Sequence, residues 1–179
     1  VIQYKNGTPV QSYNEKNAFK ETAGGYGSGY CYIDGLAFDK NGNLWMTSSE
    51  VNHAVLVLDK AGAWHRLDIE QLRGVYTIND ILITSTNDKW IYVPRNTPKL
   101  VMIPNSESLD EVSSYEFTTL IDTDGKELTP SNYTCVAEDK DGYIWVGTNR
   151  GAVYFTKPRI SSAEDKAATR CTRVKYTNE

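Results

Sequence analysis

Three short segments of the sequence place tyrosines beside carboxylates and amides, the side chains that bind sugars, peptides and protein partners. These segments are residues 26–34, 76–80 and 132–134. A tyrosine offers a ligand an apolar ring face and a polar hydroxyl tip. The candidate ligand-binding residues are Tyr26, Tyr30, Tyr32, Asp34, Tyr76, Asn79, Asp80, Asn132 and Tyr133. Tyrosines in such segments also serve simply to cap strands, and the sequence leaves both interpretations open.

Two acidic segments resemble the beginning of a calcium-binding loop. Residues 39–43 are DKNGN and residues 139–142 are DKDG. A calcium loop of the EF-hand type has glycine at its sixth position and glutamate at its twelfth, whereas glycine is fourth here. A tight hairpin turn explains the same residues, because Asn-Gly and Asp-Gly readily adopt positive φ. We therefore predict hairpin turns and no metal site.

The glycine-rich stretch GGYGSG, residues 24–29, could be mistaken for a phosphate-binding loop. Such a loop requires Gly-Lys-Ser/Thr and a following helix, and neither pattern is present. We predict a flexible connecting loop, with no nucleotide and no other cofactor.

No arrangement of catalytic residues can be recognised. His53 and His65 have no third metal ligand at a suitable spacing, and Ser48 and Ser49 lie outside the Gly-x-Ser-x-Gly pattern of hydrolases. The carboxylates show no obvious pair. We therefore predict that the chain is not an enzyme.

The composition is typical of one globular domain. The chain has 179 residues and a net charge of −4, which argues against nucleic acid as a partner. No apolar run approaches the roughly 20 residues needed to span a bilayer. Cys31, Cys135 and Cys171 form either one disulfide with a thiol left over or three reduced thiols, and we favour the latter. The chain begins with Val1 instead of Met, so we expect a piece of a longer protein.

The sequence contains an internal repeat. GLAFDKNGNLWMTSS (residues 35–49) and CVAEDKDGYIWVGTN (residues 135–149) align without a gap, with Trp45 opposite Trp145. A weaker copy at residues 81–93 puts Trp90 in the same position. The tryptophans are 45 and 55 residues apart, near the roughly 40–50 residues of a four-stranded propeller blade.

We therefore predict an all-β fold, a partial β-propeller with about three and a half four-stranded blades of a larger, seven-bladed propeller. Residues 1–14 form the half blade, and the whole blades cover about 31–69, 77–121 and 131–177. A closed propeller needs about four to eight blades, so the end blades would have open edges. Open strand edges invite pairing, and we predict self-association through them.

The third copy resembles a known repeat. The run Ala-x-Asp-x-Asp-Gly-x-Ile-Trp-Val-Gly-Thr-x-x-Gly, present as Ala137–Gly151, is similar to the two-component regulator propeller repeat. That repeat recurs in periplasmic sensor regions of hybrid histidine kinases and in PorZ-type cell-surface proteins of the type IX secretion machinery. Copy one has Thr47-Ser48 in place of Gly-Thr, and copy two lacks the turn glycine.

The resemblance implies a non-catalytic, extracytoplasmic propeller module that binds a glycan, peptide or protein partner. The module would belong to a PorZ-like surface or secretion protein, or to the sensor ectodomain of a hybrid two-component regulator. Its location would be the periplasm or the cell surface of a Gram-negative bacterium. The alternative is a carbohydrate- or peptide-cleaving propeller enzyme of the lyase type. Function depends on the site and not on the fold.

Overall fold

The computed structural model describes residues 1–19 and 30–175, and strands dominate this part of the chain. An N-terminal hairpin comprises β1 (Ile2–Lys5) and β2 (Thr8–Ser12). The first blade comprises β3 (Ile33–Phe38), β4 (Leu44–Ser48), β5 (Val55–Leu58) and β6 (Trp64–Leu67). The second blade comprises β7 (Ile81–Ile83), β8 (Lys89–Val93), β9 (Lys99–Ile103) and β10 (Tyr115–Phe117). A small hairpin follows, with β11 (Leu120–Ile121) and β12 (Glu127–Leu128). The third blade comprises β13 (Tyr133–Glu138), β14 (Tyr143–Thr148), β15 (Gly151–Thr156) and β16 (Thr172–Arg173).

Each blade is an antiparallel meander in which consecutive strands pair, so the strand order in space follows the order in sequence. The innermost strands of neighbouring blades are in contact, β3 with β7, and β13 with β7 and β8. The predicted all-β fold, a partial propeller made of four-stranded units, is confirmed.

A recurring turn built around one aspartate closes the hairpin between the first two strands. In the first blade the Gly42 amide donates to the Asp39 carbonyl over 3.1 Å, and Gly42 has φ +85°. Asp39 Oδ1 accepts the amides of Asn41 and Asn43 at 2.9 and 2.8 Å. The same pair of amide bonds recurs at Asp59, Asp122 and Asp139. These hydrogen bonds account for the acidic residues as turn formers.

The second carboxylate oxygen fixes a tryptophan. Trp45 Nε1 donates to Asp39 Oδ2 over 2.9 Å, and Trp145 Nε1 donates to Asp139 Oδ2 over 2.7 Å. Trp45 and Trp90 are buried, whereas Trp145 is half-buried and lies 4.9 Å from the ring of Tyr154. We call the side of each blade that bears this tryptophan its Trp face.

The hydrophobic cores lie between blades. The Trp face of the first blade packs against the opposite face of the second, and the second blade packs in the same way against the third. Strand alternation explains this arrangement, since residues of β8 point in turn to one core and then to the other. The first core contains Trp45, Val55, Val57, Ile81, Ile91, Val101 and Ile103; the second contains Trp90, Tyr92, Leu100, Met102, Ile144, Val146, Val153 and Phe155.

The turns also tie the blades together at the rim where they lie. The Lys40 amide donates to Asn87 Oδ1 over 2.9 Å, and its ammonium contacts the Ser85 carbonyl. Ser85 in turn donates its amide and its hydroxyl to the Glu138 carboxylate, at 2.6 and 2.5 Å. One polar chain therefore links all three blades.

The structure differs from the sequence-based expectation between the second and third blades. Residues 114–121, at the end of the predicted second blade, divide between β10 and β11. Residues 122–130, which lie between the predicted second and third blades, contain the Asp122 turn and β12. The Cys171 amide donates to the Ile121 carbonyl over 2.9 Å, so this hairpin covers part of the outer edge of the third blade. The charged stretch 161–169 contains helix α1 (Ala163–Ala168), capped by Ser162.

All three cysteines are free thiols. Cys171 is buried, Cys31 is half-buried and Cys135 is exposed. Within residues 1–19 and 30–175, no helix is long and apolar enough to cross a membrane.

Candidate binding site at the inner rim

The predicted ligand-binding segments lead into the innermost strands. Residues 30–34, 76–80 and 132–134 immediately precede or begin β3, β7 and β13. Because the three meanders start in the same way, these segments lie at one rim, which we call the inner rim. Tyr26 and the glycine-rich stretch 24–29 lie outside the described residues.

Side-chain hydroxyls join the blades at this rim. Thr47 Oγ1 donates to the Asn79 carbonyl over 3.0 Å, and the Tyr92 hydroxyl donates to the Thr134 carbonyl over 3.1 Å. Thr47 and Tyr92 both follow their blade's tryptophan by two residues, so the two bonds are equivalent. Asn79 Nδ2 also donates to the Tyr92 hydroxyl over 3.0 Å. The rim is thereby held in one arrangement across the three blades.

Ser49 supports Asp34. Its hydroxyl donates to Asp34 Oδ2 over 2.7 Å and accepts the Ile78 amide at 2.8 Å. Partial loss of water around the Asp34 carboxylate raises its pKa, and the Ser49 hydrogen bond opposes that change. Ser49, which lies outside any nucleophile pattern of hydrolases in the sequence, holds Asp34 and the next blade.

Gly35 permits a close backbone approach between the first two blades. A Cβ at this position would lie 2.8 Å from the Ile81 nitrogen and 3.0 Å from the Asp80 Cα. The structure therefore brings Asp34, Asn79 and Asp80 together at the junction of these blades.

Exposure separates the predicted residues into two groups. Tyr30 and Tyr76 are 57% and 60% exposed, and Asp34 and Asp80 are also exposed. The half-buried members are Tyr32, Asn79 and Asn132. Asn132 is held within its own blade, since its amide and that of Ser131 both donate to Asn149 Oδ1.

Tyr133 is a core residue and is removed from the candidate site. It has no exposed surface, and its hydroxyl donates to the Phe117 carbonyl over 3.3 Å. Burial raises its pKa far above the ordinary value for tyrosine. Its ring contributes to the core between the second and third blades and does not face a ligand at the rim.

Away from the rim, a histidine is paired with one of the turn aspartates. His65 Nε2 lies 3.0 Å from Asp59 Oδ2, inside one of the aspartate turns. Among the residues that the structure describes, no group of three or more His, Cys, Asp or Glu side chains could hold a metal ion. The inner rim offers tyrosine rings and carboxylates on a hydrogen-bonded frame.

Sequence reasoning missed Thr47, Ser49 and Tyr92 as the residues that fix the rim. Their common signal is position, because all three lie two to four residues after a repeat tryptophan.

One family matches a short part of the chain. Residues 127–150 match the two component regulator propeller family, and this confirms the resemblance found at residues 137–151. No curated protein matches the sequence significantly.

Solved structures with similar folds include PorZ, an essential bacterial surface component of the type-IX secretion system of Porphyromonas gingivalis. The TM-score is 0.80 at 16% identity, covering 96% of this chain and 24% of the PorZ chain. The extracellular domain of a putative hybrid two component system from B. thetaiotaomicron has a TM-score of 0.57 at 19% identity, covering 86% and 18%.

Virginiamycin B lyase from Staphylococcus aureus, a catalytically inactive variant with quinupristin, has a TM-score of 0.55 at 16% identity, covering 83% and 43%. This chain therefore spans less than half of each of these structures. At such identities the likeness shows a shared propeller fold.

Proposed function

We propose that the chain is a non-catalytic propeller module that binds a glycan, peptide or protein partner at the inner rim. The observation that carries the proposal is the pairing of exposed tyrosines with carboxylates on a fixed frame. Tyr30 and Tyr76 expose more than half of their surface, and Asp80 and Asp34 lie in the same segments. Ring faces with carboxylate neighbours suit the hydroxyl and amide groups of sugars and peptides.

The frame lowers the entropic cost of binding. Hydrogen bonds from Thr47, Ser49 and Tyr92 hold the rim before a ligand arrives. A preorganised surface loses less conformational freedom on association than a mobile one.

We place the module outside the cytoplasm, in the periplasm or at the cell surface of a Gram-negative bacterium. Two similar structures support this location, one from a surface component and one from an extracellular domain. Of the two parent proteins considered, a PorZ-like surface or secretion protein is favoured over a sensor ectodomain. The reason is that the likeness to PorZ extends over 96% of this chain.

A binding screen on glycan and peptide arrays tests the proposal. A Tyr30→Ala, Tyr76→Ala double variant should lose at least about tenfold in affinity for any ligand found, since each ring contributes roughly 1–2 kcal/mol at a contact. Val10→Ala is the matched control, because Val10 is also exposed, at 51%, but lies in the N-terminal hairpin away from the inner rim. Binding that survives the double variant would place the ligand site elsewhere.

Incubating each ligand with the protein and analysing the products by mass spectrometry separates binding from turnover. An unchanged ligand is expected. Cleavage that persists through purification and is lost in Asp34→Asn or Asp80→Asn would favour the lyase-type enzyme.

A further inference from the structure

The first blade exposes apolar residues that the other blades bury. In each innermost strand one residue pairs with the repeat tryptophan of the second strand: Ala37, Leu82 and Ala137. The residue directly before it in the sequence points to the opposite face of the blade, away from the Trp face. In the second blade this residue is Ile81, only 4% exposed, and in the third it is Val136, packed against the second core. The equivalent Leu36 is 49% exposed, and Phe38 two residues later is 70% exposed.

The second strand of the first blade is also more exposed on this face than the second strands of the other blades. Lys89 and Ile144, each directly before its blade's tryptophan, are 1% and 2% exposed. The equivalent Leu44 is only half-buried. In the second and third blades, the preceding blade packs against this face.

The N-terminal hairpin occupies only the outer part of the corresponding position on the first blade. Tyr13 lies with its ring 5.4 Å from that of Trp64 on β6. Third strands in the blades, such as β5, pair on both sides, whereas in the described part of the chain β1 pairs with β2 alone. Ile2 and Tyr4 on β1 are 56% and 60% exposed.

A cleft of about 630 Å³ separates this hairpin from the first blade. Apolar side chains from both sides line it, among them Val1, Ile2, Tyr4, Leu36, Phe38 and Leu44. Its two margins are an unpaired strand edge and an uncovered sheet face, and both are features that a β-strand partner satisfies.

We propose that this cleft is the docking site for a β-hairpin that carries the repeat pattern of this chain, an Asp-x-x-Gly turn followed by tryptophan. The hairpin's second strand pairs with β1, and its tryptophan covers Leu36 and Leu44. The template is the first core, in which Ala37 of β3 and Trp45 of β4 contact the second blade. A lone strand would satisfy the edge of β1 and leave Phe38 exposed, so the geometry favours two strands.

The test uses a synthetic peptide of residues 33–48, IDGLAFDKNGNLWMTS, added to the protein of residues 1–179. We expect saturable binding and slower hydrogen exchange at the β1 amides of residues 2–5. A Trp45→Ala peptide should bind at least tenfold more weakly, because it lacks the ring that fills the cleft. In the protein, Phe38→Glu should weaken binding by a similar factor. Phe38 is exposed, so this variant keeps its fold.

The matched control in the protein is Val10→Glu, which adds the same charge to an exposed apolar residue of β2 that lines neither the cleft nor the inner rim. This variant should bind the peptide as the unaltered protein does. Because no inner-rim residue is changed, failure of the inner-rim site does not affect this test. Equal affinity for the Trp45→Ala peptide, or no protection of residues 2–5, would overturn the proposal. A concentration-dependent dimer that Phe38→Glu abolishes would also overturn it, because a second copy would then be the occupant.

Discussion

One carboxylate organises each tight turn and anchors a tryptophan, and this makes Asp39 the most informative single residue. Replacing Asp39 by Ala removes acceptors from two backbone amides and from the buried Trp45 indole. We expect the free energy of unfolding to fall by about 2–3 kcal/mol, since an unsatisfied buried donor alone costs roughly 1–3 kcal/mol. Urea denaturation measures the change. Asp139→Ala should cost less, because Trp145 is half-exposed and water replaces the lost acceptor. Equal losses would contradict this reasoning.

The same carboxylate predicts a pH dependence. Burial alone would raise the pKa of Asp39, but hydrogen bonds from Trp45 and Asn43 outweigh it and hold the pKa below its ordinary value. A carboxyl group whose pKa is lower in the folded state contributes stability above its unfolded pKa of about 3.9. That contribution is lost as the pH falls through the folded value. The unaltered protein should therefore lose more stability than Asp39→Ala between about pH 5 and pH 2, as measured by thermal denaturation. Parallel curves would exclude Asp39 as a source of acid lability.

The repeat predicts the roles of some side chains but not the hydrogen bonds that others make between blades. The turn function of Asp39 and Asp139 follows from the position of the glycine. The polar tip of Tyr133 suggests a residue of the ligand-binding surface. Alignment of the three repeat copies, however, puts Tyr133 in the same position as Ile33 and Ile78. Those residues are apolar and face a core, so alignment of the three copies contained the correct answer. The links from Thr47 and Tyr92 could not be predicted, because they depend on how neighbouring blades approach each other.

One cation, Lys89, is buried between the first two blades. Lys89 on β8 is 1% exposed, and its ammonium lies 4.4 Å from the centre of the Trp45 ring. The equivalent residues of the other blades, Leu44 and Ile144, are apolar. Burial lowers the pKa of Lys89, and the nearby charges of Asp39 and Asp88 only partly oppose this.

Lys89→Leu should therefore raise the free energy of unfolding by about 1–2 kcal/mol at pH 7, since apolar replacement of a buried charge is often stabilising. A lysine whose pKa is lower in the folded state destabilises the fold at neutral pH, and it ceases to do so as the pH rises past its unfolded pKa of about 10.4. The advantage of the variant should shrink between pH 7 and pH 10 in urea denaturation. A variant less stable than the unaltered protein at pH 7 would show that the contact of Lys89 with Trp45 outweighs its burial.

The approach of β3 to β7 depends on Gly35. A methyl group there would meet backbone atoms of Ile81 and Asp80, which cannot move without separating the blades. We expect Gly35→Ala to cost about 2–3 kcal/mol, as overpacking does in other cores. Gly147→Ala is the control, because its nearest neighbours are the Thr134 hydroxyl and the Cys135 thiol, and rotation moves them away. A larger loss for Gly147→Ala in chemical denaturation would show that backbone crowding is not the deciding factor.

Periodicity predicted the strong elements and missed the short ones. Strands β3, β4, β13 and β14 follow directly from the two close copies of the repeat. The hairpin of β11 and β12 was not predicted, because each strand has only two residues and the hairpin lies between two predicted blades. Its role as a cover for β16 is a tertiary effect that no local pattern contains.

At the scale of the whole molecule, the blades form a row in which each interface adds to stability. Among residues 1–19 and 30–175, the second blade is packed on both faces and the third on one. The N-terminal hairpin exposes all nine residues of its two strands. In structures built from neighbouring units, stability is approximately a sum of unit and interface terms. The recurrence of Trp45, Trp90 and Trp145 at similar spacings predicted this row, since repeats of one kind pack against one another in the same way.

This arrangement predicts a gradient of local opening that native-state hydrogen exchange resolves. Amides of β8 and β9 should exchange only through global unfolding, because opening the second blade breaks both cores. Amides of β14 and β15 should exchange through a smaller opening that breaks one core, and those of β1 and β2 fastest. Trp90→Ala, which truncates the core between the second and third blades, should cost about 3–5 kcal/mol and bring exchange of β14 closer to that of β1 while changing β4 much less. Uniform acceleration across all three blades would show instead that the row unfolds as one cooperative unit.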